Sequence, residues 1–226
     1  MNQWEIKNCW FISEEDKQKL SFHLMLQYLR VSSIRSLLEG FSDILSQILH
    51  DMGASQEMID QNTLSKEQAS LVHAQLMFDK DNDDIYNGFY FKKWLLLINR
   101  TNQPFFTSDS PIGIKSCSKL YKMDSPGLNS PNVEVSFPIS PNLMLMMSDE
   151  RVFKSIGAKD RYILELDKIE VVRNYNYYSA AGNSSLVISN TGDFSLIDEI
   201  IEKQPTAMSL NHSSAVWGGK KYTPRL

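Results

Sequence analysis

The chain has 226 residues, 42% of them apolar and 22% charged, the proportions of a folded protein long enough to bury a substantial core. A net charge of −4 and an isoelectric point near 5.6 argue against a strongly basic nucleic-acid binder and leave that role to local basic patches. Two cysteines, Cys9 and Cys117, make no disulfide framework, and the longest apolar run, Trp94 to Ile98, is far too short to cross a bilayer.

The opening residues MNQWEIKNCWFISEEDKQ carry acids where a secretory signal would carry its apolar run, so a cytoplasmic protein without membrane attachment is expected. From Leu20 a stripe runs through Leu24, Gln27, Val31, Ile34, Leu38, Phe41, Leu45, Ile48 and Met52 in steps of four and three, which predicts one continuous helix. Ser13 with Asp16 offers its cap, Gly53 its stop, and Gly40 a place for a kink. A second helix is predicted from about residue 66 to 77. Ser65 and Gln68 have the capping-box spacing, and Ala69, Val72 and Leu76 form an apolar face with His73 at its edge. The acidic run DKDNDDIYNG reads as a turn closing the helical half.

From Phe89 the texture changes to short strand-like runs. FYFKKWLLLI and PFFTSD, separated by NRTNQ, fit a hairpin or sequential pairing. VEVSF and LMLMM flank PISPN, and RYILEL follows; DKIEVVRNYNYYSAAG reads as a helix, SLVIS as a last strand and FSLIDEIIEKQ as a short amphipathic helix. The expected architecture is α+β: a helical N-terminal half (about 13–80) packed on an antiparallel or mixed β-sheet from the C-terminal half (about 88–206), in a single domain over 1–206, with a mobile tail over 207–226.

Several familiar chemistries find no support. Asp79, Asp81 and Asp83 alternate as in a calcium loop, but Asp84 stands where glycine is needed and Tyr90 where the bidentate acid belongs. The four histidines and two cysteines lack zinc spacing, and no phosphate loop or nucleophile elbow is present. The sequence points to no metal, cofactor or particular partner.

Two places hold polar groups in apolar surroundings. Gln27 is the one polar member of the long stripe, with Arg30 one turn along; an unsatisfied buried polar group costs about 1–3 kcal/mol, so the pair either finds local partners or faces a polar cavity. In PFFTSDSPIGIK, two aromatic residues run into Thr107, Ser108, Asp109 and Ser110 just before Pro111. The residue before proline is held extended, so a strand is expected to end here. Asp109 either forms a turn with nearby amides or is a buried carboxylate facing an arginine, a ligand or a proton.

Four stretches in order carry a resemblance: LMLQYLRVSSIR, WLLLINRTNQPFFTSDSP, VSFPISPNLMLMM and VVRNYNYYSAAGNSSLVIS. They resemble the bacterial family known as domain of unknown function 4238, whose marks are a helix with Gln and Arg one turn apart, a Thr-Ser-Asp-x-Pro motif, a Phe-Pro-(Leu/Ile)-Ser-Pro element and a closing segment with an Asn before small residues. The family's opening His-Tyr-x-Pro segment has no counterpart before Trp10. The resemblance supplies positions without a reaction. The first expectation is a polar site at the Thr-Ser-Asp-Ser-Pro strand end, with Asp109 as the acid/base or orienting carboxylate. Gln27, Arg30, His73, Thr107, Ser108 and Asn176 are its expected binding residues. The expected function is an enzyme or binding protein for a polar or anionic small molecule. The alternative is a non-catalytic interaction module in which Asp109 and Arg30 form an ion pair. Nucleic-acid association, through Lys92 and Lys93 or through Lys220, Lys221 and Arg225, is the third class.

Overall fold

The computed structural model describes residues 6–7, 11–79, 81–117, 126–181, 186–203 and 215–223. In chain order its elements are β1 (Ile6–Lys7), α1 (Glu14–Leu29), α2 (Ser32–Asp51), α3 (Gln56–Asn62), α4 (Lys66–Leu76), α5 (Asp83–Tyr90), β2 (Lys93–Asn99), β3 (Thr107–Ser108), β4 (Gly113–Ser116), β5 (Val133–Ser140), β6 (Leu143–Ser148), α6 (Glu150–Ile156), β7 (Tyr162–Leu166), α7 (Ile169–Ala181), β8 (Val187–Ile188), α8 (Ser195–Lys203), β9 (Ala215–Trp217) and β10 (Lys220–Tyr222). This is the expected α+β class. Contacts divide the chain into two compact units, residues 1–28 with 81–208 and residues 29–80 with 209–226. Where a mobile tail is expected from residue 207, residues 215–223 belong to the second unit and form the β9–β10 hairpin.

The first unit is built on a six-stranded mixed sheet in the order β1-β7-β2-β6-β5-β4. Its central strand β2 runs parallel to β7 and antiparallel to β6. WLLLI does not pair with PFFTSD as expected; β3 pairs instead with β8 in a separate two-stranded ladder. The β5–β6 pair closes through SPN as the sequence suggests, with a register irregularity between Pro138 and Ser140. Both faces of the centre are buried, which explains the unbroken apolar runs in β2 and β6. Leu95, Leu97, Met144 and Met146 join Phe105, Phe153, Val172 and Tyr175 in one core cluster. Trp94, Leu145 and Met147 are wholly buried as well. Each such side chain contributes about 1.5–3 kcal/mol by leaving water, so the methionines of LMLMM are core rather than partner surface.

α1 lies in this unit, fixed to the start of β2. The Lys17 ammonium is buried, donates to the Lys92 carbonyl at 2.9 Å and sits over the Tyr90 and Trp94 rings. Glu14 pairs with Arg161 and accepts from the Tyr90 hydroxyl. Ser13 caps the helix as expected, its hydroxyl accepting from the Asp16 amide. The acidic run before β2 is helical from Asp83 on rather than a turn throughout: Asp83 and Asp84 fill the first turn of α5, where negative charge suits the helix dipole.

In the second unit, the stripe predicted as one helix is broken at Arg30 and Val31, and α2 begins afresh at Ser32. Phe41 and Met52, counted on the stripe, are 66% and 63% exposed. Gly53, at φ 78°, closes the turn after α2 in a left-handed conformation that favours glycine. α4 carries the predicted capping box, with Ser65 and Gln68 bonded reciprocally. Asp51 accepts from both Lys220 and Tyr222 at 2.6 Å, which fastens β10 to α2.

Candidate functional site

The Thr-Ser-Asp-Ser-Pro segment is held by main-chain contacts on both sides. Asn176 of α7 is fully buried; its Oδ1 accepts the Phe106 N–H at 2.9 Å and its Nδ2 donates to the Pro104 carbonyl at 2.8 Å. One amide thus does for residues 104–106 what a neighbouring strand would do. Thr107 and Ser108 then pair with Ile188 and Val187. Ser108 Oγ donates to the Ser110 carbonyl at 2.8 Å and accepts its N–H at 3.2 Å, closing a tight serine turn. Asp109 extends the ladder: its N–H donates to the Leu186 carbonyl and its Oδ1 accepts the Leu186 N–H, both at 3.2 Å. The strand therefore ends where Pro111 predicts.

The same segment continues into β4 and delivers Lys115 to an ionisable cluster. Lys115 and Glu134 are directly opposed in the β4–β5 ladder, and Nζ lies 2.8 Å from Oε1 with the two side chains 18% and 9% exposed. The ammonium also sits 4.5 Å from the centre of the Tyr175 ring and 5.6 Å from that of Tyr178, so α7 supplies both Asn176 and an aromatic seat for the cation. Cys117 Sγ donates to Glu134 Oε2 at 3.8 Å. Burial, reinforced by the Glu134 charge, pushes the Cys117 thiol up to about 11. The same two causes hold the fully enclosed Tyr175 phenol well above its ordinary range. At neutral pH both are protonated, and they face a carboxylate as hydrogen-bond donors.

The other expected site residues are distributed differently. Gln27 is half-buried on α1 in the first unit, whereas Arg30 is exposed and belongs to the second. His73, also in the second unit, is buried with its Nε2 2.7 Å from the Leu29 carbonyl; since a carbonyl only accepts, this nitrogen carries the proton and the ring ties α4 to Leu29 within that unit. The basic patches lose members too: Lys92 is buried and Lys220 is paired with Asp51, while Arg225 lies outside the described residues.

Sequence reasoning missed Lys115, Glu134, Cys117 and Tyr175. The available signal was the acid in VEVSF and the lysine in GIKS, single charges inside otherwise apolar strands. Among the described residues, no group of three His, Cys, Asp or Glu side chains is placed to hold a metal ion, and no helix is long and apolar enough to cross a membrane.

No curated protein and no solved structure matches the chain. A family model does, over residues 5–193. That span holds the signature segment, α7 with Asn176 and Tyr175, and the whole Lys115–Glu134 pair. The chain belongs to the family described as "Protein of unknown function (DUF4238)".

Proposed function

We propose that the chain binds a polar or anionic small molecule at the end of the Thr-Ser-Asp-Ser-Pro segment, with Lys115 and Glu134 at the centre of the site. The observation that carries this reading is the nearly sealed Lys115–Glu134 pair, with Tyr175 and Cys117 turned to the same carboxylate. Removing two charges from water costs several kcal/mol per ion, which their attraction repays only in part, and such clusters concentrate where proteins do chemistry. A ligand's anionic group competes with Glu134 for Lys115, and the Tyr175 and Cys117 protons are donors. Asp109, Ser108 and Asn176 frame the segment, with Thr107 on the strand beside them. The raised Cys117 thiol favours binding over nucleophilic catalysis, because the thiolate is scarce at neutral pH.

Melting temperature scanned against a panel of phosphorylated and carboxylated metabolites tests this. At least one is expected to stabilise the native chain, and Lys115→Met/Glu134→Leu is expected to keep the fold and lose that response. A flat scan, or a response retained in the double variant, counts against the site.

A second reading is favoured by one observation: the contacts of Asn176, Ser108 and the Asp109 carboxylate described above all go to main-chain groups. On that reading the signature is a fixture that shapes an interaction module. Asp109→Asn then lowers stability and leaves every ligand response intact.

A further inference from the structure

A second place in the first unit has a different chemistry. An open pocket of about 590 Å³ is bordered by α5, the start of β2 and the loop before β5, with Asn87, Phe91, Lys92, Asn129 and Pro131 in its lining. Its wall depends on Gly88. A Cβ there would come within 2.4 Å of Asn129 Oδ1 and 2.8 Å of Leu128 Cδ2, so a larger residue would push those two side chains away from α5. Asn129 Nδ2 then donates to the Asp84 carbonyl at 3.3 Å, and the Gly127 N–H donates to Ser130 Oγ at 3.1 Å.

The unbalanced group in this pocket is Lys92. It is 9% exposed, and among the described residues its ammonium has no hydrogen bond and no ion pair; the Lys17 bond goes to its carbonyl. Two of the carboxylates in the lining are already engaged. Asp149 accepts from the N–H of Asn132 at 2.7 Å and of Val152 at 3.3 Å, and Glu150 is paired with Lys154 at 3.0 Å. Asp84 is exposed in the first turn of α5, and Lys93 is half-buried. Burial pushes the Lys92 ammonium below its ordinary range, with the Asp149 charge opposing. The Lys92 ammonium opens onto the pocket with its stem buried and, among the described residues, no hydrogen bond to give up, so an entering anion gains a charge-assisted contact there.

We propose that this pocket binds a small organic anion, with a phosphate or carboxylate head on Lys92 and a flat apolar body on Phe91 and Pro131. Phe91 is 72% exposed, a large aromatic face available to a planar ligand. The Asn87 side chain, without a hydrogen bond among the described residues, is a second donor for the head. Asp84, Asp149 and Glu150 limit the charge that can be admitted, which favours a single anionic head over a polyphosphate or a nucleic acid. The volume suits a small organic molecule better than a bare ion.

Backbone amide spectra of the full chain titrated with phenyl phosphate, benzoate and inorganic phosphate test the proposal. Phenyl phosphate or benzoate is expected to shift the Asn87, Lys92 and Asn129 amides saturably, and the tighter of the two identifies the head. Lys92→Met is expected to weaken that binding at least about tenfold, and inorganic phosphate, which has no apolar body, to bind at least about tenfold more weakly than phenyl phosphate. Phe91→Ala, at an exposed position, is expected to cost about three- to tenfold and serves as the independent variant if Lys92→Met does not fold. Lys115→Met/Glu134→Leu leaves these shifts unchanged. The proposal is overturned if neither aromatic anion gives a saturable shift at about 10 mM, if both Lys92→Met and Phe91→Ala bind as the native chain does, or if inorganic phosphate binds as tightly as phenyl phosphate.

Discussion

Lys115 and Lys92 are both largely withdrawn from water in the same unit, and their surroundings could hardly differ more. Lys115 has a carboxylate opposite it on the next strand and two tyrosine rings beneath it. Lys92 has no hydrogen bond and no ion pair among the described residues and lines an open pocket. The contrast shows that burial alone does not define a charge's role. A cation with its anion built in belongs to the fold until a ligand competes for it, whereas a cation without one is arranged for something from outside.

Breaking the built-in pair has the largest expected effect. Glu134→Ala or Lys115→Ala leaves an uncompensated buried charge and is expected to cost about 3–5 kcal/mol in urea unfolding, whereas Lys115→Met/Glu134→Leu recovers most of that loss. Equal losses in single and double variants would mean that packing, not charge, matters at this point. Next comes Asn176→Ala, which strips both hydrogen bonds from residues 104–106; about 2–3 kcal/mol is expected, with faster hydrogen exchange at Phe106 as the local signature.

Lys92→Met should act in the opposite direction and raise the melting temperature slightly, because burial disfavours the ammonium. Its pH dependence sharpens the contrast. The folded pKa lies below the unfolded value of 10.5, so the penalty is fully present below the folded pKa and disappears as pH rises toward 10.5. The gain in melting temperature is therefore expected to be largest near neutrality and to vanish above that point. The smallest effect belongs to Cys117, whose thiol is raised from 9.0 to about 11. Its stabilising contribution is complete below pH 9.0 and is lost as pH climbs to about 11. Alkylation by iodoacetamide in the native chain is expected to stay slow at pH 9 and accelerate only toward 11, and a rate already maximal at pH 9 would show that the thiol is not enclosed as described.

Local signals in the sequence were read well where their cause is local. The Ser65–Gln68 box, the Ser13–Asp16 cap and the Gly53 stop are decided within a few residues, as are the helix carrying Asn176 and the β5–β6 connection. The break between α1 and α2 was hidden because the four-and-three stripe runs on through Val31 without interruption. α5 departs from the expected turn because Asn87-Gly88 has the form of a turn signal, whereas Gly88 sits in the helix against the side chains of Leu128 and Asn129, some 40 positions away. The proposed site divides in the same manner. The motif led to Ser108, Asp109 and Asn176, but the pairing of Lys115 with Glu134 depends on strand register, which no spacing in the sequence reveals.

The place of β2 at the middle of the sheet carries a consequence for how the chain is made. Ile98 pairs with Leu143 and Leu97 with Leu164, so the most apolar strand emerges about 45 residues ahead of its first partner. At synthesis rates of about 5–20 residues per second, WLLLI waits roughly 2–9 s on the ribosome before β6 can cover it. During that interval it is an unpaired strand edge open to other chains. This protein is therefore expected to be most vulnerable to aggregation before its synthesis is complete, and slowed translation between residues 99 and 143 should lower its soluble yield without altering the folded state.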